Sequence, residues 1–227
     1  MVKIDLITGF LGAGKTTFLK KYAKYLLSKG ENIGILENDF GAVNVDMMLL
    51  ADLMGDHCEL EMVSGGCDAD CHRRRFKTKL IAMGMCGYDR VIVEPSGIFD
   101  VDEFFDALRE EPLDRWYEVG NVIAIVDANL EESLSKEAEY ILASEVANAG
   151  AIVLSHADEV QKDQADAAVA HLNLALEQIQ CPRRVGKEVL RKSTLDLTDQ
   201  DLEQLGQCGY QIESYRKLDT DEKRVFE

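Results

Sequence analysis

Gly9-Phe10-Leu11-Gly12-Ala13-Gly14-Lys15-Thr16-Thr17 decides the fold. The spacing is G-x-x-x-x-G-K-T, the form of a phosphate-binding loop. Its glycines allow a tight curl in which successive backbone N–H groups face phosphate oxygens. Lys15 supplies a point charge for the β- and γ-phosphates, and the Thr16 hydroxyl is a ligand for Mg²⁺. Gly9, Gly12, Ala13, Gly14, Lys15, Thr16 and Thr17 are the expected nucleotide-binding set. The flanks fit. Residues 2–8 are a short β-branched run that suits a first strand. Residues 16–28 carry Phe18, Leu19, Tyr22, Ala23, Leu26 and Leu27 at helical spacing, and Lys29-Gly30 stops that helix. Strand, loop and helix are the setting such a loop requires, with the helix dipole aimed at the phosphates.

Working outward, residues 32–37 read as a second strand, followed by a polar, turn-rich segment, 38–46. In a parallel fold that segment follows the carboxyl end of a strand, where ligands bind. It is the candidate switch loop, with Asp39 and Asp46 able to reach Mg²⁺ directly or through water. An ordinary solvated loop is the alternative. Residues 59–63 read as a strand running into Ser64-Gly65-Gly66-Cys67-Asp68-Ala69-Asp70-Cys71-His72. Two thiols, a histidine and two carboxylates fall together there, a donor set suited to zinc, nickel or cobalt. The plainer reading is a buried Cys67 with Asp68 or Asp70 capping the next helix. Arg73-Arg74-Arg75, Lys77 and Lys79 follow at once on a helix whose apolar stripe is Phe76, Leu80, Ile81 and Met83. A solvated face balancing nearby acids accounts for them, and an arginine reaching a partner is the sharper alternative.

Residues 89–97 are an apolar strand ending in Glu94-Pro95-Ser96-Gly97. A carboxylate at the tip of such a strand can hold Mg²⁺ through water or orient the attacking water, which makes Glu94 a candidate catalytic residue beside Lys15. Gly97 offers a close backbone N–H to the γ-phosphate. Residues 121–127 and 150–154 are further apolar strands, separated by a helix at 137–147. The second delivers Ser155-His156-Ala157-Asp158. An aspartate just past a strand can accept from guanine N1–H and the 2-amino group, a donor pattern adenine lacks, so Asp158 would favour GTP. A cap on the following helix, 161–179, is the alternative role. Strands that are apolar runs alternate with helices throughout. This implies an α/β fold, a mostly parallel sheet flanked by helices on both faces. Past residue 180 the pattern weakens to one helix at 198–205 and a charged tail at 218–227.

Composition sets the outer bounds. Of 227 residues, 46% are hydrophobic, and the formal net charge is −17. An acidic surface repels phosphate backbones and anionic lipids, so neither nucleic acid nor membrane is an expected partner. No stretch approaches a membrane span. The start of the chain runs straight into a strand, and a cytoplasmic protein is expected. The six cysteines are then thiols rather than a disulfide framework. No linker composition appears, so a single domain over 1–227 is expected, with its core at about 1–180 and a C-terminal extension at 181–227.

In this order the motifs resemble the CobW-like P-loop GTPases, a group related to the nickel-insertion GTPases of urease and hydrogenase. The resemblance runs over about residues 1–176. It rests on the 9–17 loop, Glu37-Asn38-Asp39-Phe40-Gly41 up to Asp46, Glu94-Pro95-Ser96-Gly97, Val126-Asp127-Ala128 and the approach to Asp158. There are departures. The family's Cys-x-Cys-Cys becomes Cys67 followed, after a short insertion, by Cys71 and His72. The guanine motif Asn-Lys-x-Asp keeps only Asp158. Ala42 stands where a second switch glutamate is common.

The resemblance implies a P-loop three-layer sandwich and a Mg²⁺-dependent hydrolase acting on GTP, with ATP as the alternative nucleotide. It implies delivery of a transition metal or metal cofactor to a client metalloenzyme or cofactor-assembly protein, and a nucleotide-dependent homodimer. Mg²⁺ would be held by Thr16, Asp39, Asp46 and Glu94. The transported zinc, nickel or cobalt would be held by Glu37, Cys67, Cys71 and His72. A nucleotide switch without a metal and a P-loop small-molecule kinase are the rival readings.

Overall fold

The computed structural model describes residues 1–10, 12–39, 45–64, 69–95, 101–131 and 133–217. Seven strands form one sheet: β1 (Val2–Thr8), β2 (Ile33–Asp39), β3 (Cys58–Ser64), β4 (Arg90–Pro95), β5 (Tyr117–Asp127), β6 (Ala151–Ser155) and β7 (Leu190–Arg191). Their order is β3-β2-β4-β1-β5-β6-β7, and every neighbouring pair is parallel. The helices are α1 (Lys15–Ser28), α2 (Val45–Leu50), α3 (Ala69–Gly84), α4 (Val101–Leu108), α5 (Leu113–Trp116), α6 (Lys136–Asn148), α7 (Lys162–Gln178) and α8 (Asp199–Leu205).

Parallel strands need crossovers, and the crossovers cover both faces of the sheet. On one face Phe18, Leu19 and Tyr22 of α1 pack with Leu202 and Leu205 of α8 against Ile7, Ile35, Ile92 and Ile123. On the other, Phe76 and Leu80 of α3, Phe104 of α4, Leu142 of α6 and Leu172 of α7 pack against Ile4, Leu36, Val93 and Leu154. Alternate residues of each strand thus feed opposite cores, which is why the central strands read as unbroken apolar runs.

β1 lies between β4 and β5, so successive connections leave it in opposite directions. That reversal opens a crevice at the carboxyl end of β1, where open parallel sheets bind ligands. A polar pin holds the middle of this sheet. Asp5, fully buried, accepts from Arg90 Nη1 at 2.7 Å, Tyr22 Oη at 2.8 Å and the Asn121 backbone N–H at 2.8 Å.

The expected elements are present, with four departures. α2 begins inside the segment read as a loop, because Met47-Met48-Leu49-Leu50 favours helix and Leu50 finds the α1 face. β5 starts four residues early, at Tyr117-Glu118-Val119-Gly120, a four-residue apolar–polar alternation that pairs alongside β1. α5 and β7 are too short to carry a period. β7 and α8 continue the sheet and one helical layer past residue 180, and Asn121 fixes that segment by accepting from Gly209 N–H at 2.9 Å and donating to Gly206 O at 3.0 Å. Among the described residues no helix is long and apolar enough to cross a membrane.

Candidate nucleotide site

The loop after β1 stands in the crevice at the strand reversal. Gly9 holds φ +143°, and a Cβ there would lie 2.1 Å from the Ile125 carbonyl oxygen, so only glycine lets the chain pass β5 this closely. Gly14 takes the left-handed conformation and starts α1, whose N-terminus has no side-chain cap and no acidic residue in its first turn. Uncapped N–H groups and the helix dipole favour an anion there. Lys15 is buried and its Nζ donates to Phe10 O at 3.1 Å, folding the side chain back along the loop. Gly12 and Thr17 are exposed and Ala13 is buried.

Thr16 Oγ1 donates to Glu94 Oε1 at 2.9 Å. The strand-tip carboxylate and the helix-start hydroxyl, 78 residues apart in sequence, are brought together by β4 lying next to β1. Glu94 is buried, and the β2–β4 register places buried Glu37 directly beside it. A hydroxyl and carboxylates are hard oxygen donors of the kind Mg²⁺ takes, so the residues present fit that ion. Of Asp39 and Asp46 only the backbone is described, and both lie where β2 gives way to α2.

Cys71 and His72 occupy the first turn of α3, with His72 buried and Cys71 partly so. Cys67 and Gly97 lie outside the described residues. Among the described residues no three His, Cys, Asp or Glu side chains cluster closely enough to hold a metal ion. Upstream, Cys58 is buried, and burial pushes its thiol up to about 11, as for a packing cysteine. The basic run is largely balanced by acids: Arg73 and Lys77 both reach Glu110, at 2.9 and 2.6 Å, and Lys79 reaches Glu61 at 2.8 Å.

Beyond β6, Asp158 is exposed in a turn. The cap of α7 is Gln161, in a reciprocal capping box with Gln164, so capping is not the task of Asp158. His156 takes φ +50° and puts Nδ1 3.2 Å from Asp127 Oδ2, linking the ends of β5 and β6. A cavity of about 240 Å³ opens beside the loop between Phe10, Ala13, Asp127, Asn129 and Leu142.

A family model described as the nucleotide-binding domain of CobW/HypB/UreG matches residues 3–184. The chain belongs to the CobW/HypB/UreG family. Within it, the zinc chaperone YjiA of Escherichia coli K12 is 31% identical over 170 residues, covering 69% of this chain and 50% of its own length. The zinc chaperone YeiR of the same organism is 31% identical over 141 residues, covering 60% of this chain and 42% of its own. The chain thus spans about half the length of the curated relatives it matches. Helicobacter pylori HypB, solved in complex with nickel, superposes with a TM-score of 0.54 at 17% identity, covering 89% of this chain and 82% of that one. That likeness concerns the fold alone.

Two features of the site have no counterpart in the motif reading. One is the Asp127–His156 link. The other is Glu145 of α6, buried beneath the loop. A signal for the second was present: an acid sitting among Leu142, Ala143, Val146 and Ala147 on a buried helix face.

Proposed function

We propose that this chain is a Mg²⁺-dependent GTPase that couples nucleotide hydrolysis to delivery of a transition metal, as cargo, to a client protein. The observation that carries the nucleotide half is Thr16 on Glu94 at the uncapped start of α1, with Lys15 folded along the same loop. Loop N–H groups and Lys15 would bind and orient the β/γ-phosphates, and release of Lys15 from Phe10 O lets it turn to them. Thr16, Glu94, Asp39 and Asp46 would hold Mg²⁺, which when bound supplies charge neutralisation at the phosphate oxygens. Gly97 would give the γ-phosphate a backbone N–H. Glu94, once Thr16 turns away from it, would orient the attacking water. Asp158, exposed and unused as a cap, would select guanine.

The cargo half draws support from relatives named as zinc chaperones and from donor chemistry. Glu37 at the end of β2 and Cys67, Cys71 and His72 around the start of α3 would hold zinc, nickel or cobalt next to the γ-phosphate sensor, so that hydrolysis loosens a ligand. The reduced cytoplasm would keep those thiols available.

Two measurements test the reading. Phosphate release from GTP and ATP, with and without Mg²⁺, should show Mg²⁺-dependent turnover that prefers GTP, and Asp158→Ala should shrink the preference. Titration of zinc, nickel and cobalt into wild type and Cys67→Ala, each with GDP or a non-hydrolysable GTP analogue, should show nucleotide-dependent affinity that the variant lacks. Equal metal affinity in both proteins removes the cargo half.

A further inference from the structure

Glu145 is a buried carboxylate beneath the phosphate loop to which the reading above gives no task. It is 1% exposed. Its Oε1 accepts from Thr8 Oγ1 at 2.9 Å and from the Gly9 N–H at 3.1 Å, joining the last residue of β1 to the first glycine of the loop. Its Oε2 is buried and has no hydrogen-bond partner. Burying an ionised carboxylate with one oxygen dry and unpaired costs far more than burying the neutral acid, which leaves only a hydroxyl unpaired on that side. Burial pushes this carboxyl up to about 8, against the smaller opposing effects of Thr8, the Lys15 charge and the Gly9 N–H. Lys15 of α1 is the cation that acts on it. On the elements packed against α6, His171 of α7 is joined to Glu139, Asp102 of α4 to Lys217, and Asp127 at the end of β5 to His156.

We propose that Glu145 is a positioning residue that anchors the start of the phosphate loop in its neutral form, so that nucleotide binding draws a solvent proton onto it. The nucleotide brings several negative charges to one side of Gly9 while Glu145 sits on the other. An ionised Glu145 repels those charges and holds the Lys15 charge that the phosphates need. The neutral acid still accepts from Thr8 and Gly9 through Oε1, so the loop keeps its shape while the repulsion is gone. Phosphate affinity therefore falls as pH rises and Glu145 loses its proton. This inference rests on the nucleotide reading of the loop and adds a proton to its binding equilibrium.

The test is fluorescence titration of Mg²⁺ and a fluorescent GDP analogue into wild type and Glu145→Gln, from about pH 7 to about pH 9. If binding is confined to the neutral form, the wild-type Kd rises roughly tenfold across that interval. The glutamine variant, which keeps the acceptor and cannot ionise, stays flat within about twofold at the wild-type low-pH value. Isothermal calorimetry of the wild type near pH 8, in two buffers of different ionisation heat, reads the proton directly and should give uptake of about half a proton per nucleotide. Parallel pH profiles in the two proteins, or no proton uptake in the wild type, overturn the proposal. So does a glutamine variant that is folded but binds weakly at every pH, because the carboxylate itself would then be required. A wild type that binds no nucleotide at any pH takes the nucleotide reading down as well.

Discussion

Replacing Gly9 by alanine asks how much of the loop's function rests on its close passage over β5. Two costs act together. The φ of +143° belongs to a region that a side chain enters at about 1–3 kcal/mol. The new Cβ would stand 2.1 Å from the Ile125 carbonyl oxygen, well short of the 3.4 Å where ordinary contact begins. The obstacle is backbone in the middle of a sheet, which cannot rotate aside, and overpacking of this kind costs about 1–3 kcal/mol. Together these amount to roughly 4 kcal/mol. The loop can escape by leaving its conformation while the sheet stays folded. The loss should therefore appear mainly as nucleotide affinity, about a thousandfold, with each tenfold worth about 1.4 kcal/mol. Gly12→Ala is the control. Gly12 has φ +82° but no atom within 4 Å of an added Cβ, so only the backbone cost of about 1–2 kcal/mol applies and about a tenfold loss is expected. Binding of a fluorescent guanine nucleotide with Mg²⁺ measures both, and a thermal melt of each variant checks the fold. Gly9→Ala binding within threefold of wild type, or Gly12→Ala the weaker binder of the two, refutes the reasoning.

Other outcomes follow from the same structure. Thr16→Ala removes the hydroxyl that lies 2.9 Å from Glu94 Oε1, so Mg²⁺ should no longer strengthen nucleotide binding while binding in excess EDTA stays near wild type; titrations with and without the ion compare the two. Arg90→Met strips the cation from fully buried Asp5, and denaturant unfolding should show a loss of about 3–5 kcal/mol; less than about 1 kcal/mol would mean the pin is not what holds the sheet centre. Glu145 carries a folded-state pKa of about 8, above its ordinary 4.5, so the proton it binds in the native state stabilises fully below pH 4.5 and that contribution is lost as pH rises towards 8. Wild type should therefore lose roughly 4 kcal/mol relative to Glu145→Gln between about pH 5 and about pH 8, and chemical denaturation across that range reads the difference.

The loop at 9–17 was legible because its chemistry is local. Glycines, a lysine and a hydroxyl at fixed offsets suffice to name it, and the period changes from strand to helix across it. Glu94 was legible for a related reason, as an acid ending an apolar strand. The segments that escaped reading are the ones whose form is set by neighbours. Residues 117–120 alternate over too few positions to be decisive, and pairing with β1 makes them strand. Residues 113–116 and 190–191 are too short to show any period. Asp158 could be read as a base-selecting acid or as a cap, and only the observed Gln161–Gln164 box removed the second role.

By itself the sequence determined the class of fold, and it marked residues 9–17 as the candidate phosphate loop and Glu94 as the candidate tip carboxylate, because each reading depends on residue type at short range. The tertiary structure decided which groups meet. Strand order alone sets Thr16 against Glu94 across 78 positions, and Glu37 beside it. Sheet and helix packing alone put Glu145 under Gly9 across 136 positions, and Asp5 against Arg90 across 85. The physical reason is that a buried polar group is defined by its partner and by the water it has lost. Apolar neighbours can signal the burial, as they do around Glu145, but the partner is not written in the residues around it in the chain.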